Sequence, residues 1–369
     1  MVYMDNGKPS FKSQNNIGNK NDKINEKFFY KYLNLKIKED SEGNKRIYTI
    51  ENLANNQLYF SDPTTFNDPF DCKFSLDHTG TREQWINFYK LIGYYHEEAV
   101  KFFNKNLKTK VLTKESDQLY SYDYIKHLKL NIERGFLKKK NNLVYNLDEG
   151  SRKQIGNDMN DYLRTEGLPK VSCFSGTERS ILMWSHYADY HKGICLKFKS
   201  YKHMFKLNKS IWGDFLINND FVQPDKEYYL LNLYVTKNKS FPSVFYNIDY
   251  KDEPPKPINI FGKDKKFFKF LTTKYTDWKY EDEYRLIDHY ILENNLLNYR
   301  KEDLEGVIFG LKINYKDAKL VYDTIKQNYL DKGINVNFYE AKEVRNKYEV
   351  KAEPIINVEK YLDDIQSIV

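Results

Sequence analysis

Acidic, basic and aromatic side chains are concentrated in the segment WKYEDEYR, which spans residues 278–285. On an extended strand, Glu281, Glu283 and Arg285 lie on one face because successive side chains alternate. Two carboxylates about 6–7 Å apart along a strand can divide acid and base work, with an arginine to orient them. The segment therefore predicts a carboxylate site in which Glu283 is the catalytic group, Glu281 its partner and Arg285 the orienting cation. The alternative is a solvated strand face that holds a Glu–Arg pair.

A second polar and aromatic cluster is HYADYHKG at 186–193, next to the end of a predicted helix. Trp184 and Tyr187 are three residues apart on that helix, where both rings can stack on a flat ligand. His186 and His191 are five apart, which is not the HExxH spacing, so a metal site is not expected here. The helix dipole alone also favours a basic residue such as His191 at this end.

The third cluster is the turn FNDPFD at 66–71. Asparagine and aspartate around a proline can bond back to their own backbone and hold a turn, and this structural interpretation is favoured. The functional alternative is that the turn presents Asn67, Asp68 or Asp71 to a ligand.

Composition limits the class of protein. The chain has 369 residues, a net charge of +7, and nine Arg among 59 basic residues, a lysine excess that an AT-rich genome produces. The net charge alone therefore does not indicate nucleic-acid binding, and contact through the lysine runs stays an open alternative. Three cysteines without CxxC spacing predict reduced thiols, and neither a signal peptide nor a long apolar run is evident, so a cytoplasmic location without membrane contact is expected.

The pattern of elements predicts an α+β fold with a central mixed or antiparallel sheet. Residues 1–26 are polar and are expected to be a flexible tail, and residues 27–369 are expected to form one domain. Helical spacing predicts a helical insert at about 82–168. Shorter patterns predict strands at 28–33, 58–60, 171–175 and 194–198, and helices that begin with a Thr49 cap, at 180–189 and at 315–330.

The chain resembles the prokaryotic domain-of-unknown-function family 2971. The family pattern is an aromatic-Lys-Tyr strand, LYFSxPxxFNDPF, CFS, MWSxYADxHxG, WxYExEYR and a late VIFG. In this chain it is found at 30–32, 58–70, 173–175, 183–193, 278–285 and 307–310. The matches follow in order over about 280 residues. Because aromatic and polar residues are dense beside turns in all three clusters, the clusters are expected to converge on one cavity.

The order of elements is also similar to that of ADP-ribosyltransferase folds. That similarity implies a site for NAD as substrate, with a late glutamate at the ribose and an aromatic wall at nicotinamide. With NAD as the ligand, the candidate contacts are Lys31, Tyr32, Asn67, Asp68, Phe70, Ser175, Trp184, His186, Tyr187 and His191. Lys31 departs from the family's usual His or Arg. Isosteric Glu283→Gln is then expected to keep the fold and to lower activity by a factor on the order of 10².

The implied role is that of a bacterial effector, of the toxin or anti-phage defence type, which transfers ADP-ribose or cleaves NAD. A nucleic acid or a protein would be the acceptor, and a partner protein from the same operon would regulate it. Two alternatives stay open. A metal-dependent nuclease would use His186, Asp189 and the Glu281/Glu283 pair, and a binding module would grip a nucleotide or nucleic acid without chemistry.

Overall fold

The computed structural model describes residues 3–5, 8–10, 26–73, 76–77, 79–81, 83–84, 107–112, 143–147, 169–209, 216–217, 221–236, 239–259, 267–288 and 295–367. The chain divides into two compact units. The first unit comprises Met1–Asp62, Pro169–Tyr250 and Tyr275–Val369, and the second comprises Pro63–Leu168 and Lys251–Lys274.

Most of the regular structure is extended. The strands are β1 (Tyr3–Asp5), β2 (Lys8–Ser10), β3 (Lys27–Leu33), β4 (Lys38–Glu39), β5 (Lys45–Arg46), β6 (Gln57–Tyr59), β7 (Leu76–Asp77), β8 (Gly80–Thr81), β9 (Leu107–Leu112), β10 (Leu143–Leu147), β11 (Val171–Ser175), β12 (Ile194–Met204), β13 (Glu227–Thr236), β14 (Lys239–Asn247), β15 (Asp249–Lys251), β16 (Ile258–Asn259), β17 (Thr273–Tyr275), β18 (Glu283–Ile287), β19 (Leu296–Tyr299), β20 (Leu304–Phe309), β21 (Asn337–Glu343) and β22 (Val350–Pro354).

The helices are short. The α-helices are α1 (Tyr48–Ala54), α2 (Ile181–Tyr187), α3 (Phe267–Thr272), α4 (Tyr315–Asn328) and α5 (Val358–Gln366), and the 3-10 helices are Pro63–Thr65, Thr276–Glu281, Lys301–Asp303 and Leu330–Lys332. Within the described ranges, no helix combines the length and the apolar character needed to cross a bilayer.

The first unit is built on one large sheet with the strand order β22-β21-β20-β12-β3-β11-β18-β14-β13-β19-β6. Because β12 also pairs with β13, the six strands β12, β3, β11, β18, β14 and β13 close into a ring. The pairings in the sheet are antiparallel except for the parallel pair β20–β21. The predicted α+β class with a mixed, mainly antiparallel sheet is confirmed.

Aromatic side chains fill the inside of this ring. Phe29 on β3 stacks on Phe245 of β14 with ring centroids 3.9 Å apart, although the two strands are not neighbours. Tyr284 of β18 adds an edge contact to Phe29 at 4.8 Å. Since side chains alternate along a strand, Tyr30 and Tyr32 of β3 face outward and pack with α2 instead. The ring is therefore a packed core that supports a site on its outer surface.

Helix α4 covers another part of the same core. Asn314 caps it by accepting a hydrogen bond from the Asp317 amide at 2.9 Å, and Ala318, Val321 and Ile325 are fully buried. The predicted helix at 315–330 is confirmed: α4 begins at the predicted residue and ends two residues earlier than predicted. The predicted cap at Thr49 is wrong: α1 begins after Ile47, and the Thr49 hydroxyl donates instead to the Asn34 carbonyl at 2.7 Å.

The second unit contains small sheets. Strands β8, β10 and β9 form a three-stranded antiparallel sheet, and β7 pairs in parallel with β16. Two of these strands, β9 and β10, fall inside the predicted helical insert, most of which lies outside the described residues. In the predicted tail, β1 and β2 pair as antiparallel strands. The expectation of a single domain over 27–369 stays a prediction.

Candidate functional site

Helix α2 and the loop after it carry most of the sequence motif at 183–193. Ser180 caps α2 by accepting from the Met183 amide at 3.4 Å. After the helix, Asp189, Tyr190 and His191 have φ angles of 47°, 54° and 71°. Three consecutive non-glycine residues in the left-handed region cost free energy, of order 1–3 kcal/mol each, so the surrounding contacts must hold this loop in place.

Two motif glycines provide that close contact. A Cβ on Gly193 would lie 2.2 Å from the Leu33 carbonyl oxygen, and one on Gly310 would lie 2.2 Å from the His191 carbonyl oxygen. The Gly310 amide donates to the Gly193 carbonyl at 3.0 Å. The glycines of the two separated motifs therefore meet, and they lock the left-handed loop against β3 and the end of β20.

Trp184 is buried and holds the loop instead of facing a ligand. Its ring is fully inaccessible, its Nε1 donates to the Glu178 carbonyl at 2.8 Å, and Tyr32 packs edge-on against it at 5.1 Å. The Tyr32 hydroxyl donates to the Thr177 carbonyl at 2.9 Å. The expectation that Trp184 and Tyr187 form one stacking wall is not met, because only Tyr187 reaches the surface.

A different set of rings forms a partly exposed row beside α2. The ring centroids of Trp278 and Tyr280 are 6.0 Å apart, those of Tyr280 and His186 are 6.3 Å apart, and those of His186 and Tyr187 are 6.4 Å apart. His186 is exposed and the other three rings are partly exposed. We call these four residues the aromatic surface. It joins the second and third sequence clusters.

Glu281 lies directly behind the aromatic surface. Its side chain is 2% exposed, and Oε1 accepts a hydrogen bond from the Tyr187 hydroxyl at 2.6 Å. Ser175 fixes the backbone here, since its hydroxyl donates to the Glu281 carbonyl at 2.7 Å. A buried carboxylate is thus held beside rings that a flat ligand can stack on.

Glu281 is not on the strand that carries Glu283. It is the last residue of the 3-10 helix Thr276–Glu281, and Asp282 follows with a left-handed φ of 43° before β18 begins. The prediction that Glu281, Glu283 and Arg285 share one strand face is therefore wrong for Glu281. The turn at Asp282 breaks the alternation on which that prediction rested.

Glu283 and Arg285 do share a face, and they form a buried ion pair. Arg285 Nε donates to Glu283 Oε1 at 2.6 Å and its terminal nitrogen donates to Oε2 at 3.0 Å. Arg285 is completely buried and Glu283 is 3% exposed. Cys173 faces Arg285 across the strand pair, and burial followed by the charge of Glu283 raises the pKa of its thiol well above the usual range.

Lys31 lies on the inward face of β3, on the opposite side from Tyr30 and Tyr32. Its Nζ donates to Ser172 Oγ at 2.9 Å and to the Cys173 carbonyl at 3.0 Å, and it lies 4.7 Å from the Phe174 ring centre. Burial lowers the pKa of Lys31 to about 8. Lys31 and the aromatic surface are thus on different sides of the strand.

The turn at 66–71 belongs to the second unit. Asp68 Oδ1 accepts from the Phe70 amide at 2.8 Å, and Asn67 Oδ1 accepts from the Asp68 amide at 3.1 Å. Asp71 pairs with Lys274 at 3.6 Å, and Phe70 is 74% exposed. The structural interpretation of Asn67 and Asp68 is supported. The expected convergence of this turn with the other two clusters stays a prediction.

His191 lies on the other side of α2 from the aromatic surface. Its Nε2 is 3.3 Å from Ser185 Oγ, and burial, followed by the charge of Lys312, lowers its pKa. Since the Ser185 hydroxyl donates to the Ile181 carbonyl at 2.9 Å, Nε2 is the donor to Ser185. Over the described part of the chain, no group of three or more His, Cys, Asp or Glu side chains has the arrangement of a metal site.

Sequence reasoning missed the residues that surround His191. A cleft of about 930 Å³ is lined by Ser185 and His191 together with Lys312, Arg345 and Lys347. The last three come from loops, which carry no periodic pattern. A basic residue two positions after the VIFG motif was the one available signal.

Comparisons with known proteins support the family resemblance over the centre of the chain. The model of the family described as "Protein of unknown function (DUF2971)" matches residues 183–286. This range contains all of α2 except its first two residues, the left-handed loop and the Glu281–Arg285 segment. Searches of the curated proteins and of the solved structures found no match to the chain.

Proposed function

We propose that this protein binds NAD or a closely related nucleotide on the aromatic surface and breaks the bond between nicotinamide and ribose, with Glu281 as the carboxylate at the ribose. The observation that carries the proposal is the buried Glu281 carboxylate, held by the Tyr187 hydroxyl at 2.6 Å beside Trp278, Tyr280 and His186.

The aromatic surface supplies the binding. Ring-to-base stacking is worth roughly 1–3 kcal/mol per base, and it needs rings that solvent can reach. Tyr280 and His186 satisfy this condition, whereas Trp184 does not. The flat nicotinamide or adenine ring is the part of the ligand that this surface fits.

The carboxylate supplies the chemistry. When the C1′–N bond breaks, its electron pair stays with the pyridinium nitrogen, neutral nicotinamide leaves, and positive charge develops at C1′ and the ring oxygen. A carboxylate in a low-dielectric position stabilises that charge more than water does. Water or an acceptor hydroxyl then adds to C1′ and releases a proton. Glu283 is less suited because both its oxygens are bound by Arg285.

The test is release of nicotinamide. The full chain is incubated with NAD, and nicotinamide and ADP-ribose are measured by chromatography, with and without candidate protein or nucleic-acid acceptors. Nicotinamide release is expected in the parent, is expected to be lost in Glu281→Gln and is expected to be kept in Glu302→Gln. The control makes the same carboxylate-to-amide change at an exposed position. If NAD binds but no nicotinamide is released with any acceptor, the proposed bond cleavage is wrong and only the proposed binding remains.

A second candidate is a binding module without chemistry. The observation that favours it is burial: Glu281 and Glu283 are only 2% and 3% exposed. Binding of NAD or of an oligonucleotide that depends on Tyr280 and His186, without turnover, would select this candidate. The effector role, the acceptor and an operon partner stay predictions of the sequence resemblance.

A further inference from the structure

The cleft next to His191 is separate from the aromatic surface. It lies between α2 with its left-handed loop, the residues that follow β20, and the turn that joins β21 to β22. Its volume of about 930 Å³ is within the range of small-molecule sites, roughly 300–1,000 Å³. All of its lining residues belong to the first unit.

Three cations line the cleft without acidic partners. These are Lys312, Arg345 and Lys347. All three are exposed, and none forms an ion pair with an acid among the described residues. The rest of the same hairpin is neutralised, since Lys342 pairs with Glu340 at 2.7 Å and with Glu353 at 3.0 Å. Within this hairpin, the unpaired positive charge therefore lies at the turn, which faces the cleft.

Two acids are also present at the cleft, and they limit what it accepts. Glu349 is neutralised by an ion pair with Arg179. Glu343 lines the same cleft and keeps one negative charge there. The cleft thus has three cations without an ion pair and one acid without an ion pair, a charge balance that suits a compact anion with two or more negative charges. A long polyanion would have to lie across Glu343, and repulsion by this carboxylate disfavours such a ligand.

The floor of the cleft carries the His191 imidazole, and backbone hydrogen bonds tie it to the segment after β20. The Lys312 amide donates to the His191 carbonyl at 2.9 Å, so the cation-bearing segment is tied to the loop that Gly193 and Gly310 lock. His191 Nδ1 is buried, and the described residues provide it with no hydrogen-bond partner. Burial and the charge of Lys312 both lower the pKa of His191, while Glu343 acts in the opposite direction.

We propose that this cleft binds a small phosphorylated molecule, with its phosphate or diphosphate group held by Lys312, Arg345 and Lys347 above His191. Phosphate oxygens are the acceptors that arginine and lysine bind through charge-assisted hydrogen bonds. The inference does not rest on the proposed action at the aromatic surface, because it uses a different set of side chains.

The experiment is calorimetric titration of the full chain with pyrophosphate. Saturable binding is expected, and Arg345→Gln and Lys347→Gln are each expected to weaken it by about tenfold or more, the usual effect of losing a charge-assisted contact. Lys360→Gln removes the same charge from an exposed position on α5 and is expected to leave the affinity unchanged. Equal weakening by all three variants would mean general attraction to a basic protein and would overturn the proposal.

An NMR titration of His191 provides an independent readout. A phosphate beside Lys312 offsets the charge that lowers the pKa of His191, so the pKa is expected to rise when pyrophosphate binds. His186, which does not line the cleft, is the internal control. Pyrophosphate binding without a change at His191 would place the anion elsewhere. Tighter binding of a single-stranded oligonucleotide than of ADP-ribose, through the same variants, would overturn the choice of a small ligand.

Discussion

Glu283 and Arg285 neutralise each other inside the protein, two residues apart on β18, through hydrogen bonds of 2.6 Å and 3.0 Å. Removing one partner of a buried pair leaves the other charge uncompensated, which typically costs about 3–5 kcal/mol. Glu283→Gln is therefore expected to lower the free energy of unfolding by several kcal/mol, measured by urea denaturation. This replaces the expectation from sequence that the isosteric variant folds like the parent.

A double variant tests whether the ion pair is the cause of the lost stability. Glu283→Gln combined with Arg285→Met removes both charges, so it is expected to recover part of the stability that the single variant loses. If Glu283→Gln alone unfolds at the parental urea concentration, the ion pair has no structural role, and the sequence-based assignment of Glu283 as the catalytic carboxylate gains support.

The hydrogen bond between Tyr187 and Glu281 leads to a graded prediction for activity. Glu281→Gln is expected to lower nicotinamide release by a factor on the order of 10² or more, because a charge-stabilising group is lost. Tyr187→Phe keeps the ring and removes the hydroxyl that donates to Oε1 at 2.6 Å, so it is expected to have a smaller effect of the same sign. Equal rates in the parent and in Glu281→Gln, at equal stability, would exclude Glu281 from the reaction.

The aromatic surface predicts an effect on binding. Tyr280→Ala is expected to weaken NAD binding by about tenfold, because one stacking contact contributes roughly 1–3 kcal/mol. Tyr348→Ala is the comparison variant, since Tyr348 is 95% exposed and lines the separate cleft next to His191. Binding is measured by calorimetry. A larger loss in Tyr348→Ala than in Tyr280→Ala would move the ligand to the cleft.

Local patterns in the sequence were sufficient for the elements that pack against one core. The aromatic strand at 28–33, the strand at 171–175 and the buried stripe of α4 all follow from side-chain periodicity, and the structure has each of them. The closure of the ring through β12 and β13 was not predictable in this way, because it depends on pairing between distant segments.

The site was harder to predict than the fold. Asp282 in a left-handed conformation separates Glu281 from β18. Aspartate adopts this conformation more often than most residues but still rarely, so the sequence signal for such a turn is weak. Trp184 and Tyr187 have suitable helical spacing, yet the packing of Tyr32 decides that Trp184 is buried. The cleft at Lys312, Arg345 and Lys347 is built from loops, whose positions depend on tertiary contacts rather than on periodicity.

Gly193 is expected to tolerate no side chain. Gly193→Ala places a Cβ about 2.2 Å from the Leu33 carbonyl oxygen, and relief of the clash is expected to cost about 2–3 kcal/mol. Gly43 has no heavy atom within 4 Å of an added Cβ, so Gly43→Ala is expected to lose only about 1 kcal/mol through its positive φ. The comparison is made by thermal unfolding. An equal loss in both variants would mean that the contact with β3 is not tight.

The buried amine of Lys31 makes stability depend on pH. Burial lowers its pKa in the folded protein to about 8 from an ordinary value of 10.5. Between these values the unfolded chain binds more protons than the folded one, so the free energy of unfolding rises as the pH increases. Below pH 8 both states are protonated and the full penalty is present, with an upper value of roughly 3 kcal/mol for a shift of this size.

Urea denaturation from pH 7.5 to 9.5 tests this dependence, with Lys31→Met as the variant and Lys332→Met, at an exposed position, as its control. The rise in stability with pH is expected in the parent and in Lys332→Met, and it is expected to disappear in Lys31→Met. Buried tyrosines such as Tyr299 have raised pKa values and act in the opposite direction as the pH approaches 10, because the unfolded state loses its proton first. Since they are present in all three proteins, the difference between the parent and Lys31→Met isolates the lysine. An unchanged pH dependence in Lys31→Met would show that the amine stays protonated and solvated within the ring.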